Sequence, residues 1–451
     1  MNRGGTYRKR LALSLLVVMV GAASAMTTLS AASRSKTVTI TVNGLPPKTD
    51  PTNRATFLRD VQTFEQLHSN IRVIPHEGFM DPQTFQARLA GGQLENVFYV
   101  YFTDPANLIA RHQAADITSY IKGNPVLNQI KPTIMRIFTD ANGHIYGLPK
   151  SNYTLGLLYN RKLFQKAGLN PNNPPKTWAQ VRTDAKQIAG LGDGTVGYGD
   201  YSKSNTGGWH FTAELYSLGG SIAVRNGKTW RAAFNNALGK QVLQQLKSMR
   251  WADKSMGDRQ LLEWADLLQM MASGKLGMYI ATSDNIPIIV NQFKGNLSDY
   301  GLGAMPSGKG ALAGGDGFMF NRKDTPDQIR AGIQWLQYKF VNPNRIAADN
   351  RVAKDAGSPV GLPEPNLWTG AAEKKWAAAT KQFSNVPSQN YAPFIKGTPA
   401  IPLRVEPPSA QQIYAVLDSA MATVLTDPNA NIDQLLSNAE SQVNSILASV
   451  H

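Results

Sequence analysis

The 451 residues contain no cysteine. Disulfides, thiolate nucleophiles, cysteine-held zinc and iron–sulfur clusters are therefore excluded. A lipid anchor on a cysteine behind an export signal is excluded with them, and Leu29-Ser30-Ala31-Ala32 offers alanine instead, so no lipoprotein is expected. Histidine is scarce. His68, His76, His112, His144, His210 and His451 form no H-x-x-x-H pattern and have no acidic partner at ligand spacing, so they read as surface or capping residues and no metal or other cofactor is expected. Charged residues make up only 17% of the chain against 42% hydrophobic, the balance of an ordinary globular protein rather than a disordered one. The 46 basic and 31 acidic residues leave a net charge of +15, yet past the first ten residues the basic groups are dispersed. No basic stripe with interleaved aromatics occurs, and a nucleic-acid partner is not expected.

What is present begins with an apolar run, Leu11 to Ala23, behind Arg8, Lys9 and Arg10 and ahead of Ala23-Ser24-Ala25. This is the order of a secretory signal, and residues 1–25 are expected to direct export to the periplasm or the outer cell surface. The run is shorter than the roughly 20 residues of a membrane span. An uncleaved anchor reaching Ala32 is the alternative. No later segment is apolar enough to span.

Val38-Thr39-Ile40-Thr41-Val42 alternates strictly, as a strand does; Phe57, Leu58, Val61, Phe64 and Leu67 follow at helical spacing, and Ile71 to Ile74 is extended again. Residues 38–75 thus read as a strand–helix–strand unit with a parallel sheet. Val97 to Phe102 reads as a buried strand between the helices at Phe85–Leu89 and Leu108–Gln113. A second series starts after Gly147-Leu148-Pro149: a strand at Thr154–Tyr159, a helix at Arg161–Ala167, and a helix opened by the capping box of Thr177 and Gln180. Helices are predicted over 209–218, 238–250 and 261–272, a strand over Leu276–Ile280, and a helix behind Thr325-Pro326. The last hundred residues read as helical. Trp251, Trp264, Trp335, Trp368 and Trp376 fall on or near helical stripes and read mostly as core.

Catalytic patterns fail on inspection. Gly303 to Lys309 imitates a phosphate loop, but Gly310 stands where Ser or Thr would hold magnesium, and Ala311 to Gly315 reads as a flexible connection rather than a helix. Ser283-Asp284-Asn285 copies one element of the penicillin-binding signature without a following K-T-G. No G-x-S-x-G elbow occurs.

Several segments in order carry a resemblance. They are Thr63 to His68, Asn96 to Val100, Gly143 to Pro149, Leu158 to Phe164 with Lys166 to Leu169, Pro174 to Trp178, and Gly274 to Met278. Over roughly residues 38–450 the chain resembles the extracellular solute-binding proteins of ABC importers, family 1, typified by maltose- and oligosaccharide-binding proteins. The resemblance implies an α/β, two-lobed periplasmic-binding-protein type II fold. Each lobe would be a mostly parallel sheet flanked by helices, joined by crossing segments that act as a hinge. Lobe 1 is expected from residues 37–152 and 312–352, and lobe 2 from 153–311 and 353–451. Crossings are expected near Lys150–Thr154, Gly308–Gly314 and Asn350–Gly357.

It further implies a secreted monomeric receptor, not an enzyme, that binds a mono- or oligosaccharide between the lobes and hands it to the permease subunits. Ligand contacts are expected from residues that leave strands or occupy crossings: Glu77; Tyr101, Thr103 and Asp104; Asn152 and Tyr153; Trp209; Asp284 and Asn285; Asp316; and Arg404. Trp209 would stack on a sugar ring, while the carboxylates would take forked hydrogen bonds from hydroxyls. After Leu276–Ile280 many relatives place a Gly-Pro-Trp turn, and that aromatic is missing here. An N-cap or Asx turn is the structural alternative for the aspartates, and a surface role for Arg404 and Glu77. Two other functions stay open: a secreted carbohydrate-active enzyme using a pair such as Asp104, Asp284 or Asp316, and the same receptor with an anionic ligand, prompted by the basic chain.

Overall fold

The computed structural model describes residues 37–451 except 79, 82, 83, 228, 260, 449 and 451. The export signal expected at 1–25, the alternative anchor and His451 lie outside the described residues.

The alternating residues Val38–Leu45 form β1, which pairs in parallel with β2 (Ile71–Glu77) and, at Val42, with β3 (Val97–Tyr101). The helix Pro51–Leu67 joins β1 to β2; Asp50 caps it by accepting from the Asn53 N–H, and Phe57, Val61 and Phe64 face inward. This is the predicted strand–helix–strand unit. The remaining strands are β4 (Gly147–Thr154), β5 (Gly156–Asn160), β6 (Val196–Tyr198), the hairpin β7 (Ala223–Asn226) and β8 (Thr229–Ala232), β9 (Leu276–Ala281), β10 (Tyr300–Gly303), β11 (Ala311–Phe320) and β12 (Leu403–Val405). One sheet runs β12-β11-β3-β1-β2 with β4 also on β11, and a second runs β10-β5-β9-β6.

Neither sheet is as parallel as expected. In the first, β11 is antiparallel to both β3 and β4; in the second only β6 and β9 are parallel, because β5 runs against β9 and β10. The second sheet is buried on both faces. Leu157, Tyr159, Met278 and Ile280 go to one core and Leu158, Tyr279 and Ala281 to the other, the period of two that a strand imposes. Such strands read as continuous apolar runs.

The stretch Ala311–Gly315, expected to be flexible, is instead the start of the ten-residue β11. Glycine weakens an isolated strand, but β11 is paired along one edge by β4 and along the other by β12 and then β3. Pairing on both edges overrides local propensity. Its first residues, Ala311 and Leu312, sit in one core and Phe318, Met319 and Phe320 in another. The passage from β4 to β5 makes the same transit, from Leu148 to Leu155. The third passage is not at 350–357, since Ile346–Asp355 is a helix. It falls at 358–366, where the chain enters the third core at Leu362 and returns to the first at Leu367, Trp368 and Ala372, before a further passage takes it back to the third core at Tyr391 and Phe394.

A buried ion cluster ties the first lobe's helices together. Lys339 and Arg345 reach the two oxygens of Asp60 at 2.6 and 3.0 Å. Burial alone would raise the Asp60 pKa, but the two cations hold it below the usual carboxylate range. Asp60→Asn leaves Lys339 without its carboxylate and Arg345 with Asp349 alone, and a loss of about 2 kcal/mol is expected as a lower urea midpoint at unchanged slope.

Candidate functional site

Three of these passages between cores meet around Asp316. This residue lies in mid-strand, opposite Ser151 of β4 and Tyr101 of β3, so no Asx turn forms there. Ser151 Oγ donates to it at 2.7 Å, Lys150 Nζ lies 3.2 Å from both of its oxygens, and the Tyr99 hydroxyl donates to it as well. Lys150 also sits 5.7 Å from the centre of the Tyr99 ring. The third passage brings Glu364, whose Oε1 accepts from Ser283 at 3.2 Å, next to the Thr282–Asn285 turn that follows β9.

Asp284 and Glu364 are open to solvent, yet their pKa values are raised. For Glu364 burial and then the Asp284 charge lift it to about 7; for Asp284 the lift comes from burial and from Asp316, against a hydrogen bond from Thr282. A carboxyl reached by water but flanked by protein on most sides satisfies both observations. A second acidic pair lies beside it. Burial lifts Asp104 to about 7, with Thr103 Oγ1 donating to it at 3.1 Å, and lifts Glu406 to about 8 despite a 3.1 Å hydrogen bond from the Tyr414 hydroxyl. Asp104 precedes the helix Pro105–Ala110 in the N-cap position but makes no side-chain cap bond.

Tyr153 links the two pairs. Burial and the charges of Glu406, Asp284 and Asp316 all push its pKa upward. Its ring lies so close over Gly314 that a Cβ there would come within 2.4 Å of the hydroxyl. On the other face a Cβ at Gly315 would meet the Phe102 ring at the same distance. These glycines thus let protein rings approach the strand closely. Trp209 is half-buried, edge-on to Tyr153 at 6.4 Å and stacked with Tyr201 at 6.2 Å and His210 at 5.4 Å. His210 is fully buried, contrary to the surface or capping role expected of it: Nδ1 contacts Asp200 and Nε2 lies 3.2 Å from the Ile280 carbonyl. It fixes the aromatic wall from behind.

Of the expected contact residues, Tyr101, Thr103, Asp104, Tyr153, Trp209, Asp284 and Asp316 thus belong to two adjoining groups bridged by Tyr153. Asn152 alternates to the opposite face of β4 from Ser151 and Tyr153, with a buried Oδ1 that has no partner. Asn285 is buried and committed, its amide donating to Thr282. Arg404 packs along Gly310 near Tyr216, and Glu77 is ion-paired with Arg54 at the end of β2, away from the cluster. Sequence reasoning did not single out Tyr99, Lys150, Ser151, Glu364 and Glu406, which the fold brings into the same groups. For Lys150 and Ser151 a signal existed, their place in the expected first crossing.

Two sheets with separate cores, linked by crossing segments of which three converge on the polar cluster around Asp316, have the architecture of a two-lobed solute-binding protein. Residues 48–338 match the bacterial extracellular solute-binding protein family, and the chain belongs to it. It is 26% identical over 310 residues to the sn-glycerol-3-phosphate-binding periplasmic protein UgpB of Yersinia enterocolitica; the match covers 63% of this chain and 66% of that protein, just under two thirds of its length. An ABC transporter solute-binding protein from Thermotoga lettingae bound with α-D-tagatose shares the fold at TM-score 0.72 and 21% identity, covering 92% of this chain and all of that one, 100%. The GacH receptor of Streptomyces glaucescens, known unliganded and with acarbose, does so at TM-score 0.70 and 18% identity over 92% and 100% of the two chains. Among the described residues no helix is long and apolar enough to cross a membrane.

Glu406 binds its proton more tightly folded than unfolded. Its contribution to stability is therefore complete below about pH 4 and is lost as pH rises through its folded value near 8. Glu406→Gln is expected to melt above the wild type at pH 9 and to lose that advantage at pH 5, read by differential scanning calorimetry. Gly314→Ala forces the Tyr153 ring aside, and overpacking of this kind costs about 1–3 kcal/mol; a lower melting temperature together with an altered tyrosine signal in near-ultraviolet circular dichroism checks it.

Proposed function

We propose that this chain is the exported capture subunit of an ABC importer. It closes two lobes over a neutral polyhydroxylated ligand, a sugar, and delivers it unaltered to the permease. The lobes are taken as 37–152 with 312–352, and 153–311 with 353–451, except that the segment around Leu367–Ala372 goes with the first. The observation that carries the ligand class is the sign of the cleft. The charged groups argued to face it are Asp104, Asp284, Asp316, Glu364 and Glu406, against Lys150, which is itself engaged by Asp316. A phosphate dianion would meet carboxylates with little cation to receive it, and desolvating it there is costly. Sugar hydroxyls suit the same groups, since an ionised carboxylate accepts two hydrogen bonds and a protonated one donates as well. The aromatic wall of Tyr153, Trp209 and Tyr201 supplies apolar faces for a sugar ring.

This reading favours a neutral ligand over the glycerol phosphate named for the Yersinia relative and over the anionic alternative. It also needs no catalytic step. Raised carboxyl pKa values are what burial in a binding cleft produces, so they do not by themselves call for an enzyme.

Thermal-shift and calorimetric titration against neutral sugars, polyols, amino acids and sn-glycerol 3-phosphate is expected to give stabilisation by sugars, with the sugar recovered intact. Tight binding of sn-glycerol 3-phosphate alone, or release of a cleaved glycan, overturns the reading. Trp209→Ala is expected to weaken sugar binding by more than about 1 kcal/mol, and saturating sugar to change the intrinsic fluorescence of the wild type.

A further inference from the structure

The segment Gly303 to Lys309, which imitates a phosphate loop in sequence, borders a cavity that carries what the loop alone does not. β10 ends at Gly303, and the chain then turns through two consecutive left-handed residues, Ser307 at φ 65° and Gly308 at φ 60°. Lys309 packs along Gly219 and takes no part in the cavity wall. The turn is held from three sides: the Ser307 N–H donates to the Lys176 carbonyl at 2.7 Å, Pro174 lies against Gly303, and Ile401 lies against Gly308. Segments 172–176, 304–308 and 389–401 thereby enclose about 740 Å³. That volume falls within the roughly 300–1,000 Å³ of small-molecule sites.

The walls are fixed and their charge has one sign. Pro174, Pro175 and Met305 are buried and give the cavity an apolar floor. Among the described residues that line it, Lys176 and Lys396 are the only charged ones, and neither is ion-paired. Asn172 adds a donor, because Arg161 already occupies its Oδ1 at 2.8 Å and leaves its NH2 group for an acceptor from outside the protein. None of the acidic residues around Asp316 lines this cavity.

We infer that the cavity is a second ligand site, separate from the acidic groups that the sugar reading uses, and that it takes an organic phosphate monoester. The phosphate would lie on the two ammonium groups and its apolar body on the prolines and Met305. Lysine serves a phosphate as a point charge, whereas a planar carboxylate is better matched by the fork of an arginine. Donors that come from separate chain segments suit an anion whose oxygens point apart. A bare ion would leave the apolar floor in water, so an organic substituent adds affinity.

The test is calorimetric titration of the full chain with phenyl phosphate, inorganic phosphate, benzoate and phenol, at low and at physiological salt. Phenyl phosphate is expected to bind more tightly than the other three, and less tightly at the higher salt. Lys176→Gln combined with Lys396→Gln is expected to weaken it about tenfold. Lys48→Gln combined with Lys122→Gln, the same loss of charge at exposed positions of the first lobe, is expected to change it less than about twofold. Equal weakening by the two pairs assigns the binding to diffuse surface charge and overturns the inference. Phenyl phosphate that does not bind, that binds no more tightly than inorganic phosphate or benzoate, or that is indifferent to the first pair overturns it as well. Displacement of phenyl phosphate by a bound sugar also overturns it, because the two would then share one site. The sugar titrations are made without phosphate, so each of these results leaves the sugar reading to its own test.

Discussion

The close packing of aromatic rings against a glycine-rich strand underlies both the architecture and the site. β11 belongs to one core at its start and to another at its end, and between them it must pass where neither core covers it. Glycines at 314, 315 and 317 let Tyr153 lie on one face, Phe102 on the other, and the Leu148 carbonyl against the edge. The strand therefore gains rigidity from rings and ladder pairing instead of from its own side chains. Asp316 is the one long side chain in this stretch, and the ladder aims it at Lys150, Ser151 and Tyr99. The backbone that joins the halves of the molecule also sets the central polar group of the cleft.

Electrostatics then follow from enclosure. Five carboxyl groups crowd two adjoining regions on either side of Tyr153, and four of them bind protons more tightly than carboxyls in water do. Near neutral pH Asp104, Glu364 and Glu406 are mixtures of donor and acceptor, which suits ligand hydroxyls that are both. Closing lobes would displace water from the cleft, and each hydrogen bond made there counts for more at lower local dielectric. The same enclosure costs stability in the open protein, as raised carboxyl pKa values always do when the groups ionise. A ligand that supplies hydrogen bonds relieves part of that cost, so binding and stability draw on one set of residues.

The elements with a strong local signal were legible in the sequence. Strict alternation gave β1, the spacing of Phe57, Val61 and Phe64 gave its helix, and Thr177 with Gln180 gave a capping box that is present. What local signal could not carry was pairing. β11 reads as a loop because nothing nearby in the chain reveals that β4, β3 and β12 flank it. Strand direction in the second sheet was lost for the same reason. Site residues divide likewise: Asp284 and Asp316 follow strands or interrupt glycines and stand out, whereas Glu364 and Glu406 sit in proline-rich stretches with no periodicity and become interpretable only when the third passage and β12 are placed. His210 was misjudged because its partner Asp200 is a buried carboxylate just past the end of β6, at no ligand spacing from it in the chain.

Net charge misleads about a ligand for a related physical reason. The basic excess is a property of the whole chain, dispersed over a surface where ions screen it within about 8 Å at physiological salt. A cleft works at shorter range. There one lysine engaged by Asp316, with four further carboxyls near it, outweighs a distant excess of positive charge, because the walls displace the water and salt that would otherwise screen the local groups. The long-range field can draw the protein toward an anionic surface while the carboxyl groups around Asp316 repel an anion at short range. Two opposite signs at two length scales are compatible, and only the nearer one bears on what the lobes hold.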